Sequence, residues 1–179
     1  PEKTVMTIPE RNPLPHPESA TAWFGDRFGV PLPRGLRERA EAMSWDAFVA
    51  TYGRSGGPLR LGPWERTDSD CAATGLGSRA GNYRAVIAVG DQIGTATAAA
   101  AGPIAALTAM LHERGINLEI LHFHQMRSAT ATATFIRGGN GARAEWAMGW
   151  SPDPTRSALR AVIACANRLF APQWSDGSR

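Results

Sequence analysis

Gly102-Pro103-Ile104-Ala105-Ala106-Leu107, followed by the run Asn117 to His124 (NLEILHFH), is the stretch on which the fold turns. Proline fixes its own φ and gives up an N–H that a helix start would leave unpaired, so Gly102-Pro103 predicts the opening of a helix. Ile104, Leu107 and Leu111 then share one face, and Gly115 stands just past the end as a stop. A helix that opens directly after a strand presents free backbone N–H groups at its mouth, where an anionic group can be held. Downstream, Ile116 to His124 reads as a strand.

Upstream of this helix, Leu59 to Thr67 can form a strand, and a loop rich in Gly, Ser and Ala follows from Asp68 to Gly81. Asn82 to Val89 and Gln92 to Ala98 alternate about a Gly90-Asp91 turn, which is a hairpin signature. Downstream the same order repeats. Ile116 to His124 is followed by a strand over Ala129 to Arg137, a Gly138-Gly139-Asn140-Gly141 turn and a strand over Ala142 to Trp150. Asp153 and Pro154 then start a helix that buries Leu159, Val162, Ile163, Ala166 and Leu169. The expected fold is α+β and two-layer, built from duplicated βββα units with an internal pseudo-twofold, because one unit alone cannot cover its sheet face.

The N-terminal third differs in character. Residues 1–20 hold five prolines and little apolar periodicity, the pattern of an extended arm. Residues 21–57 read as a short helical extension. An aromatic cluster from Trp23 to Phe28 is cut off by Val30-Pro31-Leu32-Pro33, and a helix is expected from Gly35 to Met43. Ser44 caps another helix that sets Trp45, Phe48 and Tyr52 on one face, expected to dock on the main domain. Arg54-Ser55-Gly56-Gly57-Pro58 is a hinge, residues 58–172 form the main domain, and residues 173–179 are a tail.

Composition narrows the function. With 179 residues and 43% apolar content the chain suits one core, and its formal charge is only +3. Lys3 is the only lysine, a composition that fits a GC-rich, bacterial-type genome. The arginines (Arg34, Arg60, Arg84, Arg114, Arg143, Arg160) are scattered without a run, which argues against nucleic acid. Cys71 and Cys165 have no metal-ligand spacing and sit in unlike contexts, so neither a disulfide framework nor a metal is expected, and a cytoplasmic location follows. No apolar run approaches the roughly 20 residues of a membrane span, and no signal segment opens the chain.

The doubled unit and its flanking phrases resemble the C-terminal regulatory (allosteric and dimerisation) domain of 2-isopropylmalate synthase. The matching stretches are Ser44-Trp45-Asp46-Ala47-Phe48 with Tyr52, then Gly102 to Ala106, then Ser157 to Val162 with Ala166-Asn167-Arg168, and Val30 to Leu36 resembles the entrance to the linker. The resemblance spans about residues 30–170. It implies a homodimer with leucine held near the dimer interface beside the Gly-Pro helix start. It also places the chemistry in a preceding (β/α)8 barrel with a divalent metal, which 179 residues cannot contain. The expectation is therefore a regulatory domain standing alone, with no cofactor and no 2-isopropylmalate synthase activity.

Two departures suggest a changed ligand. The family's Gly-Asn-Gly-Pro is Ala100-Ala101-Gly102-Pro103 here, and its Leu-Asp-Tyr-Tyr-Glu-His is Leu121-His122-Phe123-His124-Gln125-Met126, with the following loop cut to Arg127-Ser128. The candidate ligand-binding residues are Ala101, Gly102, Pro103, Ile104, His122, His124, Arg127, Thr130 and Thr132, for an amino acid, a 2-oxo acid or a related metabolite. By simple alternation His122 and His124 continue the row of Ile116, Leu118 and Ile120, at the inner end of a buried face. They are the candidate catalytic acid/base pair if the domain is an enzyme of specialised metabolism. Buried space-filling histidines are the plainer alternative. Thr130, Thr132 and Thr134 share a strand face and either line a pocket or serve the strand. A third possibility is a partner that acts in trans on a barrel-bearing synthase.

Overall fold

The computed structural model describes residues 19–68 and 80–175, with side chains up to residue 171. Most of the expected arm, most of the Gly-rich loop with Cys71, and the end of the tail lie outside the described residues. The elements run α1 (Ala20–Phe28), α2 (Arg34–Glu41), α3 (Trp45–Tyr52), β1 (Leu59–Arg66), β2 (Gly81–Val89), β3 (Gln92–Ala100), α4 (Pro103–His112), β4 (Glu119–Arg127), β5 (Thr132–Gly139), β6 (Ala144–Ser151) and α5 (Pro154–Ser175). Two three-stranded antiparallel sheets result, in the orders β1-β2-β3 and β4-β5-β6, each followed by its helix. The fold is α+β, made of repeated βββα units behind a helical stretch.

Alternation decides what each sheet buries. In the first sheet Leu59, Tyr83, Ala85, Ile87 and Ala96 turn inward and meet Leu107, Met110 and Leu111 of α4. In the second, Ile136 and Ala147 turn toward Val162, Cys165 and Ala166 of α5, so both units share one apolar interior. Removing a Leu or Phe side chain of this kind from water contributes about 1.5–3 kcal/mol. Gly149 lets the layers close, since a Cβ there would strike the carbonyl oxygen of Ser157. The Ser157 hydroxyl lies 2.8 Å from that of Thr134 and donates within 3.0 Å of the carbonyls of Thr132 and Gly149. Thr134 therefore serves the packing of α5.

The opposite face of the second sheet is not left to water. Ala133, Phe135 and Met148 of that face pack with Phe24, Phe28, Leu36, Phe48 and Tyr52 of the N-terminal helices and with Leu32 between α1 and α2. Trp45, Phe48 and Tyr52 dock as their spacing predicts. Phe24 meets Phe135 edge-on at 5.4 Å between centroids, and Trp45 meets Trp150 at 5.6 Å. Arg168 ties the layers together by donating to Thr51 O and to Glu145 while lying over the Tyr52 ring. One helix had no forecast. Ser19 caps α1 by accepting from Ala22 N, and Gly29 ends it at φ 67°. The helical extension thus begins inside the stretch assigned to the arm.

A second correction concerns β4. Pairing with β5 is regular from Glu119 to Ile120 and again from His122 to Arg127, with Leu121 inserted between the two runs. An extra residue reverses the alternation downstream of it. Ile120 pairs with Gly138 and faces the shared interior; beyond the bulge Phe123, opposite Ile136, takes over that face. His122 and His124 turn to the other side, opposite Arg137 and Phe135, and both are exposed. The histidines therefore do not end a buried row.

Candidate functional site

Two clefts flank β4, one on each side of its sheet. The first lies at the mouth of α4. Gly102, extended at φ −171°, occupies the cap position without a side chain to bond the helix, and Pro103 follows as the first helical residue. The first intrahelical bond runs from Ala106 N to the Gly102 carbonyl, so the N–H groups of Ile104 and Ala105 have no acceptor in earlier turns. Ala101, Gly102, Pro103, Ile104, Ala105 and Thr108 form one wall of a cavity of about 580 Å³, and Leu118 and Ile120 form the other. The arrangement offers polar N–H groups and partial positive charge at one end and branched apolar side chains along the side.

The pseudo-twofold supplies an internal comparison. At the mouth of α5, Pro154 again opens the helix, and a cavity of about 910 Å³ lies between it and Arg60, Leu61 and Trp64 of β1. There the cap is Asp153, whose carboxylate accepts from Arg156 N at 2.6 Å. One helix mouth thus carries its own carboxylate; the other carries none.

The second cleft lies on the far side of the sheet, under α2. Arg34, Gly35 and Arg39 of α2 face His122, His124, Arg137, Ala144, Glu145 and Trp146 of the sheet across about 660 Å³. The His122 and His124 rings lie nearly parallel to the Trp146 indole at 6.0 Å. Gly35 allows α2 to sit against that indole, because a Cβ would come within 2.7 Å of Nε1. Arg39 has its charged form favoured, chiefly by the neighbouring Tyr52 hydroxyl, with Glu145 adding to the effect. Glu145 is itself engaged by Arg143 at 3.1 Å and by Arg168 at 2.9 Å. Neither imidazole has a hydrogen-bond partner among the described residues, so no carboxylate orients them as an acid/base pair.

The structure accordingly brings Ala101, Gly102, Pro103 and Ile104 together and separates them from His122 and His124. The remaining candidates line neither cleft. Arg127 ends β4, Thr130 accepts from the Arg27 guanidinium at 3.2 Å, and Thr132 is buried. The α4 mouth was legible from Gly-Pro, whereas its apolar wall, Leu118 and Ile120, precedes the stretch expected to form it. Arg34, Arg39, Arg137 and Glu145 went unnoticed because three different elements, α2, β5 and β6, bring them together. No helix among the described residues is long and apolar enough to cross a membrane. Cys165 is sealed in the core, and burial pushes its thiol up to about 12.

Fold and clefts together define a small α+β domain with a ligand-sized cavity at an uncapped helix mouth. Comparison with known proteins narrows the class. The chain is 35% identical to 2-isopropylmalate synthase of Renibacterium salmoninarum over 79 residues, which cover 42% of this chain and 14% of that protein. It is 34% identical to 2-isopropylmalate synthase of Leifsonia xyli subsp. xyli over 84 residues, or 44% of this chain and 14% of that protein. The chain is thus a homologue of one segment of these synthases, as its sequence motifs suggest, and the match spans about a seventh of their length. No protein-family model matches the chain.

Proposed function

We propose that this is an effector-binding domain that pairs with a second copy of itself and holds a small carboxylate with a branched apolar side chain at the mouth of α4. The class comprises branched-chain amino acids, their 2-oxo acids and related metabolites. The observation that carries the reading is the contrast between the two helix mouths. Asp153 already supplies a carboxylate to α5, while glycine leaves the α4 mouth open above Ile104, Leu118 and Ile120. A ligand carboxylate at α4 would take the place that Asp153 occupies in the other unit, and its side chain would lie along the apolar wall. The relationship to a segment of 2-isopropylmalate synthase supports an effector role.

Self-association is supported by β4, an edge strand on which Leu121 and Phe123 are 43% and 44% exposed. The test is calorimetric titration of the full chain with leucine, isoleucine, valine and the corresponding 2-oxo acids. At least one should bind, and Ile104→Glu should abolish binding, because its carboxylate competes for the same N–H groups in a position that helix starts tolerate. Failure of all six ligands would overturn the effector reading. Light scattering should report a dimer that Phe123→Lys converts to a monomer; a wild-type monomer would refute the pairing.

A further inference from the structure

We propose that the cleft beneath α2 is a second binding site, for a small molecule carrying at least two anionic oxygen-bearing groups, independent of the α4 mouth. Its lining is strongly unbalanced in charge. Three guanidiniums, Arg34, Arg39 and Arg137, border it against the single carboxylate of Glu145. That carboxylate is already bonded to Arg143 and Arg168, so positive charge outweighs negative along the lining. Arg34 and Arg137 have no side-chain hydrogen bond or ion pair among the described residues, a condition shared by Arg54, Arg127 and Arg156, but of these five only Arg34 and Arg137 border this cleft. Free guanidinium forks converging on one cavity match the geometry of carboxylate or phosphate oxygens, which they bind bidentately.

Further features point the same way. Arg34 is the first residue of α2, whose cap position is Pro33 with no side-chain bond, so the N-terminal amides add partial positive charge at the rim. His122 and His124 present ring N–H groups beside Arg137 with nothing bonded to them among the described residues. The floor is Trp146, which lies between these imidazoles and the backbone of α2 at Gly35. A cleft of about 660 Å³ suits a compact metabolite, and its arginines lie on both walls, which favours a ligand with anionic groups at two ends.

Carboxylates and phosphates share this chemistry, and two probes separate them. The full chain is titrated by calorimetry with citrate and, separately, with inorganic pyrophosphate in buffer free of other multivalent anions. At least one should bind once per chain. Arg34→Gln and Arg137→Gln should each weaken it about tenfold or more, the loss expected for a charge-assisted hydrogen bond. Both variants should keep the wild-type melting temperature, since neither side chain has a partner to lose. Preference for citrate assigns the site to polycarboxylates, and preference for pyrophosphate assigns it to phosphorylated compounds. Binding of neither probe, or binding that both variants retain unchanged, overturns the proposal. Ile104→Glu should leave the affinity untouched; loss of binding in that variant would place the anion at α4 and overturn the assignment to this cleft.

Discussion

Asn167 offers the sharpest test of how the two units are joined. It lies on α5, 8% exposed, and its amide reaches β1 at the edge of the first sheet. Oδ1 accepts from Leu59 N at 3.0 Å, and Nδ2 donates to Leu59 O at 2.9 Å. The side chain therefore imitates a neighbouring strand for one residue, closing the ladder where β1 has no further partner. Asn167→Ala removes both bonds and leaves a buried donor and a buried acceptor at Leu59. Each unsatisfied group costs about 1–3 kcal/mol, so the loss should be about 3–5 kcal/mol. At roughly 2–4 °C per kcal/mol for a domain of this size, the melting temperature should fall by about 6–20 °C. Asn167→Asp keeps the shape and the acceptor but turns a carboxylate oxygen toward Leu59 O. It should be at least as damaging at neutral pH and should recover part of the loss in acid, where a protonated carboxyl can donate. Gly57 backs onto this amide so closely that a Cβ would lie 2.6 Å from Oδ1. Gly57→Ala alone should destabilise by displacing the amide, and its effect should shrink in the Asn167→Ala background. Urea unfolding monitored by circular dichroism measures all four proteins. A loss below about 1 kcal/mol in Asn167→Ala would refute the view that this amide completes the sheet.

Three further outcomes follow from the packing. The Cys165 thiol, pushed up to about 12 by burial, stays protonated in the folded protein at pH values where the unfolded chain ionises. The stability it protects is complete below the ordinary thiol range and falls as pH rises from about 9 toward 12, so Cys165→Ala should flatten the decline of melting temperature over that interval. Gly149→Ala drives a methyl group into the Ser157 carbonyl and should separate β6 from α5, costing about 3 kcal/mol or more in denaturant titrations, whereas Gly56→Ala, with open space at its Cβ, should cost little. Ser157→Ala removes a hydroxyl that serves Thr134 and two strand carbonyls, and a loss of about 1–3 kcal/mol in the same assay is expected.

What the sequence disclosed and what it hid divide along a physical line. Local signals survived: Gly102-Pro103 and Asp153-Pro154 open their helices, Gly90 and Gly115 adopt positive φ at the turn and the stop, and Ser44 caps α3. The cap at Ser19 went unread because the prolines before it suggested extended chain through residue 20. The bulge was invisible for a different reason. Leu121 is apolar like its neighbours and has no glycine or turn residue beside it, so period-two extrapolation ran straight through it. The arginines under α2 lie up to about a hundred residues apart and converge only because the helical extension folds back over the sheet. No periodicity within a single segment encodes such a meeting.

That fold-back, with the single inserted residue, decides how the chemistry is arranged. Had β4 alternated without interruption, the imidazoles of His122 and His124 would point with Ile120 toward the α4 mouth, and the apolar wall and the histidines would make one polar-ended pocket. Leu121 breaks the strand into two runs of opposite parity. Before it, Ile120 serves the apolar cavity at α4; after it, the histidines serve the arginine-lined cleft, while Phe123 returns to the side of Ile136. The same edge strand thus contributes a wall to two chemically unlike cavities. A bulge at a sheet edge costs only the local ladder, since no further strand must follow its register. The edge position of β4 is therefore what allows one strand to serve both sides, and the helical extension is what makes the second side a cavity.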